Sequence, residues 1–131
     1  MVLRLLGWTA IAAIAILSLV PGQFRPHIGT SHYFEHFTAY CLTAGLLAFA
    51  YQGRLRAAVL FACLVIYAGA LETAQLWVPG RLSQMSDFIT SSFGSLVGIL
   101  VVAVIRQVGR RIAIRSERLG ETASRHKHLR K

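Results

Sequence analysis

The chain has 131 residues, of which 55% are hydrophobic and only 15% charged, with 14 Lys and Arg against 5 Asp and Glu. That length fits one domain, while the composition excludes an ordinary water-soluble one, and two isolated cysteines exclude a disulfide-built scaffold. The apolar residues lie in four long blocks separated by short polar stretches, which is the pattern of membrane spans.

The blocks cover residues 5–20, 34–51, 57–78 and 88–105. Each is close to the roughly 20 residues that a helix needs to cross about 30 Å of hydrocarbon, and a helix satisfies its own backbone hydrogen bonds, as lipid requires. The expected fold is all-α: a polytopic membrane protein with a four-transmembrane-helix bundle over residues 1–105 and a basic tail over 106–131. The first block follows Arg4 as a secretory signal would, but "SLVPGQF" offers no small-x-small cleavage site, so the block is expected to be retained. With the N-terminus inside, Arg4, Arg54, Arg56 and every basic residue from Arg106 to Lys131 are inside, and only Arg25 and Arg81 are outside. This bias predicts both termini in the cytoplasm of a bacterium and a plasma-membrane location.

The second block opens with "HYFEH", residues 32–36, which matches the H-x-x-E-H pattern of certain zinc proteases. His32 and His36 are spaced to share a metal on one helix face, and the third carboxylate the sequence brings near them is Glu72. A protease needs a substrate cleft on a soluble scaffold, so the expectation is neither a protease nor a tightly held metal, and no cofactor. Tyr40 follows His36 at i+4 and shares its face. Cys41 and Cys63 fall within predicted spans, where a free thiol behaves as a small apolar side chain.

The third block ends with Glu72 and Gln75 on one face, then "VPGR", a turn expected to present Arg81 to the outer mouth of the bundle. Asp87 opens the fourth block, where it also suits the positive end of the helix, with Ser86 as the candidate N-cap. His36, Tyr40, Glu72, Gln75, Arg81 and Asp87 are therefore expected to form one polar layer at the outer ends of their helices. Ionisable groups in a span are expensive, so function is the default reading and an interhelical hydrogen-bond network the structural alternative. Asp87, Ser91, Gly94 and Gly98 form a stripe, and the two glycines repeat at the small-xxx-small spacing that lets helices approach closely. Tyr33 and Trp77, at span ends, read as interfacial anchors.

The tail from Arg106 carries nine Lys and Arg but no interleaved aromatics and no nucleic-acid-binding motif, so it reads as a topogenic segment facing anionic lipid rather than nucleic acid. His126 and His128 in "RHKHLRK" read as solvated residues of that tail.

The segments "EHFTAYCLTAGLL" and "LETAQLWVPGRLSQMSDFITSSFGSLVG" resemble the VanZ-like membrane family over residues 31–102. Its members typically carry a His followed by a Tyr in an early helix, then Glu-x-x-Gln, an Arg, an Asp and a Gly-rich final helix. His36, Tyr40, Glu72, Gln75, Arg81, Asp87, Gly94 and Gly98 are the matching positions. The chain departs from the pattern at His32 and Tyr33, where relatives usually have Asp-Lys, and at Ser91, where they often have Asn. The resemblance implies an envelope-associated membrane protein, with a founding group linked to resistance to the glycopeptide teicoplanin.

Two functions follow as expectations. The first is a binding module that recognises membrane lipid headgroups, a cell-wall precursor or another envelope protein at the polar layer. The alternative is a small membrane enzyme acting on a lipid-linked or phosphate-bearing substrate, with Glu72 or His36 as acid-base group and Arg81 steadying an anion. No nucleophile stands out, since Ser83, Ser86 and Ser91 lack triad partners in sequence.

Overall fold

The computed structural model describes residues 1–24, 31–51, 56–81 and 83–128. Arg25 and Arg54 lie outside the described residues. Four α-helices follow one another, α1 Val2–Leu19, α2 His32–Ala50, α3 Ala57–Gln75 and α4 Met85–His128, with a short 3-10 turn at Gly22–Phe24. There is no strand among the described residues.

Local chemistry sets the helix ends. α1 stops before Pro21, whose ring disfavours helical backbone in the preceding residue, and Val20 is extended at φ −65° and ψ 132°. α3 ends at Gln75, earlier than the apolar run to Val78, because the chain must turn through Pro79 and Gly80. Gly80 takes a left-handed φ of 74°, which a side chain would strain. α4 starts at Met85, so Ser86 lies inside the helix rather than capping it, and its hydroxyl donates to the Gln84 side-chain oxygen.

Three helical segments are long and apolar enough to cross a membrane: Val2–Leu19, Ala57–Gln75 and Met85–Ser116. α2 has 19 residues as well, but His32, Glu35 and His36 in its first turns dilute its apolar character. Residues Met1–Val101 form one compact unit and Val102–Lys131 a second. In the second unit the helix continues to His128, and Arg110, Arg111 and Arg115 are exposed.

Within the first unit the contacts between helices alternate in direction. At one end, the Trp8 indole donates to the Tyr51 hydroxyl at 2.8 Å, and the Arg4 guanidinium lies 5.0 Å from the centre of the Tyr51 ring. The start of α1 therefore meets the end of α2. The Tyr67 hydroxyl donates to the Ile11 carbonyl at 2.6 Å, tying α3 to α1 at mid-height. Two apolar clusters fill the interior, one of Ala44, Leu47, Leu60, Leu64 and Ile99, the other of Ile14, Tyr40, Ala68 and Leu71.

α2 and α4 run parallel and almost touch along their backbones. A Cβ on Gly94 would strike the Phe37 carbonyl, and one on Gly98 would strike that of Cys41. Only glycine at both positions permits this approach, as the small-xxx-small spacing predicts. The register it sets matters for chemistry, because one and two turns earlier the same faces bring Ser91 against His36 and Asp87 against His32.

Candidate functional site

The polar residues gather at the end of the first unit where α1 and α3 finish and α2 and α4 begin. Asp87 is 1% exposed, and its Oδ2 lies 2.6 Å from His32 Nε2. His36 Nε2 is 3.9 Å from the same oxygen, too far for a hydrogen bond, while His36 Nδ1 sits 3.1 Å from Ser91 Oγ. The two imidazoles meet edge to face with ring centres 4.5 Å apart. Asp87 Oδ1 is buried with no hydrogen-bond partner among the described residues. A carboxylate so enclosed, with one oxygen unmatched, is a costly arrangement that asks for a reason.

Glu72 takes a different place. Its carboxylate is buried on α3 and accepts hydrogen bonds from the Ser83 hydroxyl at 3.4 Å and the Gln84 amide at 3.3 Å. It feels the charges of Asp87 and His32, but its hydrogen-bond partners are different from theirs. Glu72 also lines an open pocket of about 300 Å³ whose other walls include Thr73, Leu76, Ser83, Met85 and Phe88.

Gln75 is buried one turn beyond Glu72. Tyr40 is buried in the apolar cluster with Ile14, Ala68 and Leu71, its ring centre 6.4 Å from that of Tyr67. Arg81 reaches across to the end of α1, where its Nε donates to the Val20 carbonyl at 3.0 Å and its terminal NH2 group donates to the Leu17 carbonyl. Leu17 lies in the last turn of α1 and Val20 is its C-cap, and the negative dipole end there favours a cation. Tyr33 and Trp77 are exposed.

Two residues hold closer places in the cluster than their sequence pattern suggests. His32, read as a departure from a family pattern, is the nearest partner of Asp87. Ser91 has a histidine and an aspartate in series beyond it, as a catalytic triad would. However, Ser91 is 1% exposed, and 3.9 Å separates the histidine from the aspartate, so this serine holds an imidazole rather than attacking a substrate. The signal in sequence was the shared i,i+4 spacing of His32 and His36 with Asp87 and Ser91, which lets two residues on one helix match two on another.

No curated protein and no solved structure matches the chain. A family model described as VanZ/LLP1 matches residues 9–106, from the first helix through the polar residues and glycine stripe just described. The chain thus belongs to the VanZ/LLP1 family.

Proposed function

We propose that this protein is a multi-pass protein of the bacterial plasma membrane that crosses four times with both termini in the cytoplasm. In this reading its polar end faces outward and binds an amine-bearing headgroup carried on a lipid. The observation that carries the proposal is the pocket beside Glu72, where a buried carboxylate stands behind apolar walls of Leu76, Met85 and Phe88. A buried carboxylate favours a cationic or hydrogen-bond-donating partner, and the apolar side chains that share the pocket lining suit the acyl chains that accompany such a headgroup. A phospholipid and a lipid-linked cell-wall precursor both offer this chemistry, and a precursor would connect the protein with glycopeptide sensitivity.

The test is lipid-resolved native mass spectrometry of the full chain with phosphatidylethanolamine, phosphatidylglycerol and a lipid-linked peptidoglycan precursor. Retention of an amine-bearing species, at least tenfold reduced in Glu72→Gln, supports the reading. Equal retention of phosphatidylglycerol, or unchanged retention by the variant, overturns it. In cells, Glu72→Gln should accumulate like the parent yet fail to complement the glycopeptide or envelope-stress phenotype of a deletion strain. Full complementation at matched protein level would make the charge dispensable and the cluster structural.

A further inference from the structure

Three donor groups from two helices converge at the start of α2 and α4. His32 Nε2 and Asp87 Oδ2 are 2.6 Å apart, His36 Nε2 is 3.9 Å from that oxygen, and one donor atom from each of the three residues lies within 4.8 Å of the others. We propose that His32, His36 and Asp87 form a two-histidine, one-carboxylate site for a divalent transition cation of the zinc type.

Spacing supplies the first reason. His32 and His36 sit one turn apart on α2, and the glycine contacts of α4 hold Asp87 against both. A tetrahedral zinc with bonds of about 2.0 Å separates its ligands by roughly 3.3 Å. His32 and Asp87 therefore need to part by less than ~1 Å, His36 to close on Asp87 by a similar distance, and the two histidine donors, within 4.8 Å, to close by up to about 1.5 Å, which side-chain rotations supply.

The second reason is the state of Asp87. Its carboxylate is 1% exposed, one oxygen contacts His32 and faces His36 3.9 Å away, and the other has no hydrogen-bond partner among the described residues. A dication at the shared point neutralises the buried charge in a way that one histidine hydrogen bond does not. On binding, His32 coordinates as a neutral imidazole through its Nε2 lone pair, with its one ring proton on Nδ1 and any second proton released to water.

Ser91 supplies the third. When His36 donates its Nδ1 proton to Ser91 Oγ, 3.1 Å away, the ring is fixed with the Nε2 lone pair directed at the carboxylate side. This is the outer contact that metal-binding histidines usually make. His32 is 33% exposed on its side chain, which gives the ion an approach and leaves a coordination position for water. Imidazole donors favour zinc-type ions over magnesium and calcium, which prefer oxygen. Glu72, engaged by the Ser83 and Gln84 loop, is not a ligand, so the metal site and the headgroup pocket are separate claims.

The experiment uses the full chain purified without a histidine tag, in nanodiscs, incubated with zinc or cobalt(II) and desalted. Elemental analysis should find about one zinc per chain, and cobalt should give the visible absorption of a four-coordinate site. His36→Ala and His32→Gln should each weaken zinc binding at least 100-fold, and Ser91→Ala by roughly tenfold. A His126→Ala, His128→Ala double variant and Glu72→Gln should bind as the parent does, with helicity and elution confirming that every variant is folded. Zinc below a tenth of an equivalent, zinc retained by folded His36→Ala and His32→Gln, or zinc lost only with the tail histidines overturns the proposal. Each of those outcomes would leave the His32 and Asp87 contact as a plain hydrogen bond. Loss of lipid binding in Glu72→Gln would be unaffected, so the two claims fail separately.

Discussion

Replacing Gly98 by alanine adds one methyl group at the tightest of the glycine contacts among the described residues. That carbon would lie 3.0 Å from both the Cys41 carbonyl carbon and the Gly45 amide nitrogen, and closer still to the Cys41 carbonyl oxygen. The obstacle is backbone of α2, which cannot swing aside as a side chain can, so the helices must part by more than about 1 Å to restore ordinary contact near 3.4–4 Å. Overpacking of this kind costs about 1–3 kcal/mol, and the better helix propensity of alanine returns up to about 1 kcal/mol. The expected net loss is about 1–2 kcal/mol, and Gly94→Ala, which meets the Phe37 backbone, should lose a similar amount. Two other glycines calibrate the measurement. A Cβ on Gly69 would sit 3.5 Å from the Phe88 ring, an ordinary contact, and one on Gly109 would have nothing within 4 Å. Unfolding in mixed micelles titrated with SDS should therefore rank Gly109→Ala at or above the parent, Gly69→Ala near it, and the other two clearly below. If Gly94→Ala and Gly98→Ala unfold together with Gly69→Ala, the close approach of α2 and α4 is wrong. The register that places Asp87 against the histidines would fall with it.

Other perturbations test separate features. Reporter fusions after Gln52 and Lys131 should register as cytoplasmic and those near Gly29 and Gly80 as periplasmic, and the reverse pattern would turn the polar end inward. Arg81→Ala leaves the Leu17 and Val20 carbonyls without their charged donor and should destabilise by about 1–3 kcal/mol in the same titration. Arg81→Lys should recover less than about half of that, since one ammonium cannot reproduce the guanidinium fork, and a fully stable Arg81→Ala would count against the cap. Tyr67→Phe removes a donor from the Ile11 carbonyl, which also serves its own helix, so the loss should be near 0.6 kcal/mol, and one above about 2 kcal/mol would contradict this reading.

The helices, and the level at which the polar groups lie, follow from the order of apolar and polar residues. Apolar blocks that must satisfy their own backbone bonds can only be helices, and short polar connections between them leave the ends of α1 and α3 level with the starts of α2 and α4. Residues as distant as His36, Glu72 and Asp87 thus came to one end without any knowledge of packing. The spacing of Gly94 and Gly98 likewise announced a close approach. It did not say which helix comes close. Tertiary structure decided that, together with the rotation of every helix about its own axis. In segments as uniformly apolar as α1 and α3, no amphipathic stripe marks the buried face, so hydrophobicity alone cannot aim a side chain. Arg81 could face a ligand or a neighbouring helix end, and it meets α1. Asp87 could pair with any group at that level. The contact of the Gly94 and Gly98 backbone with α2 turns its carboxylate onto His32 and His36, while the loop before α4 draws Glu72 away toward Ser83 and Gln84. Helical rise fixes the depth of a residue within its own segment, but its azimuth depends on steric fit between helices distant in sequence.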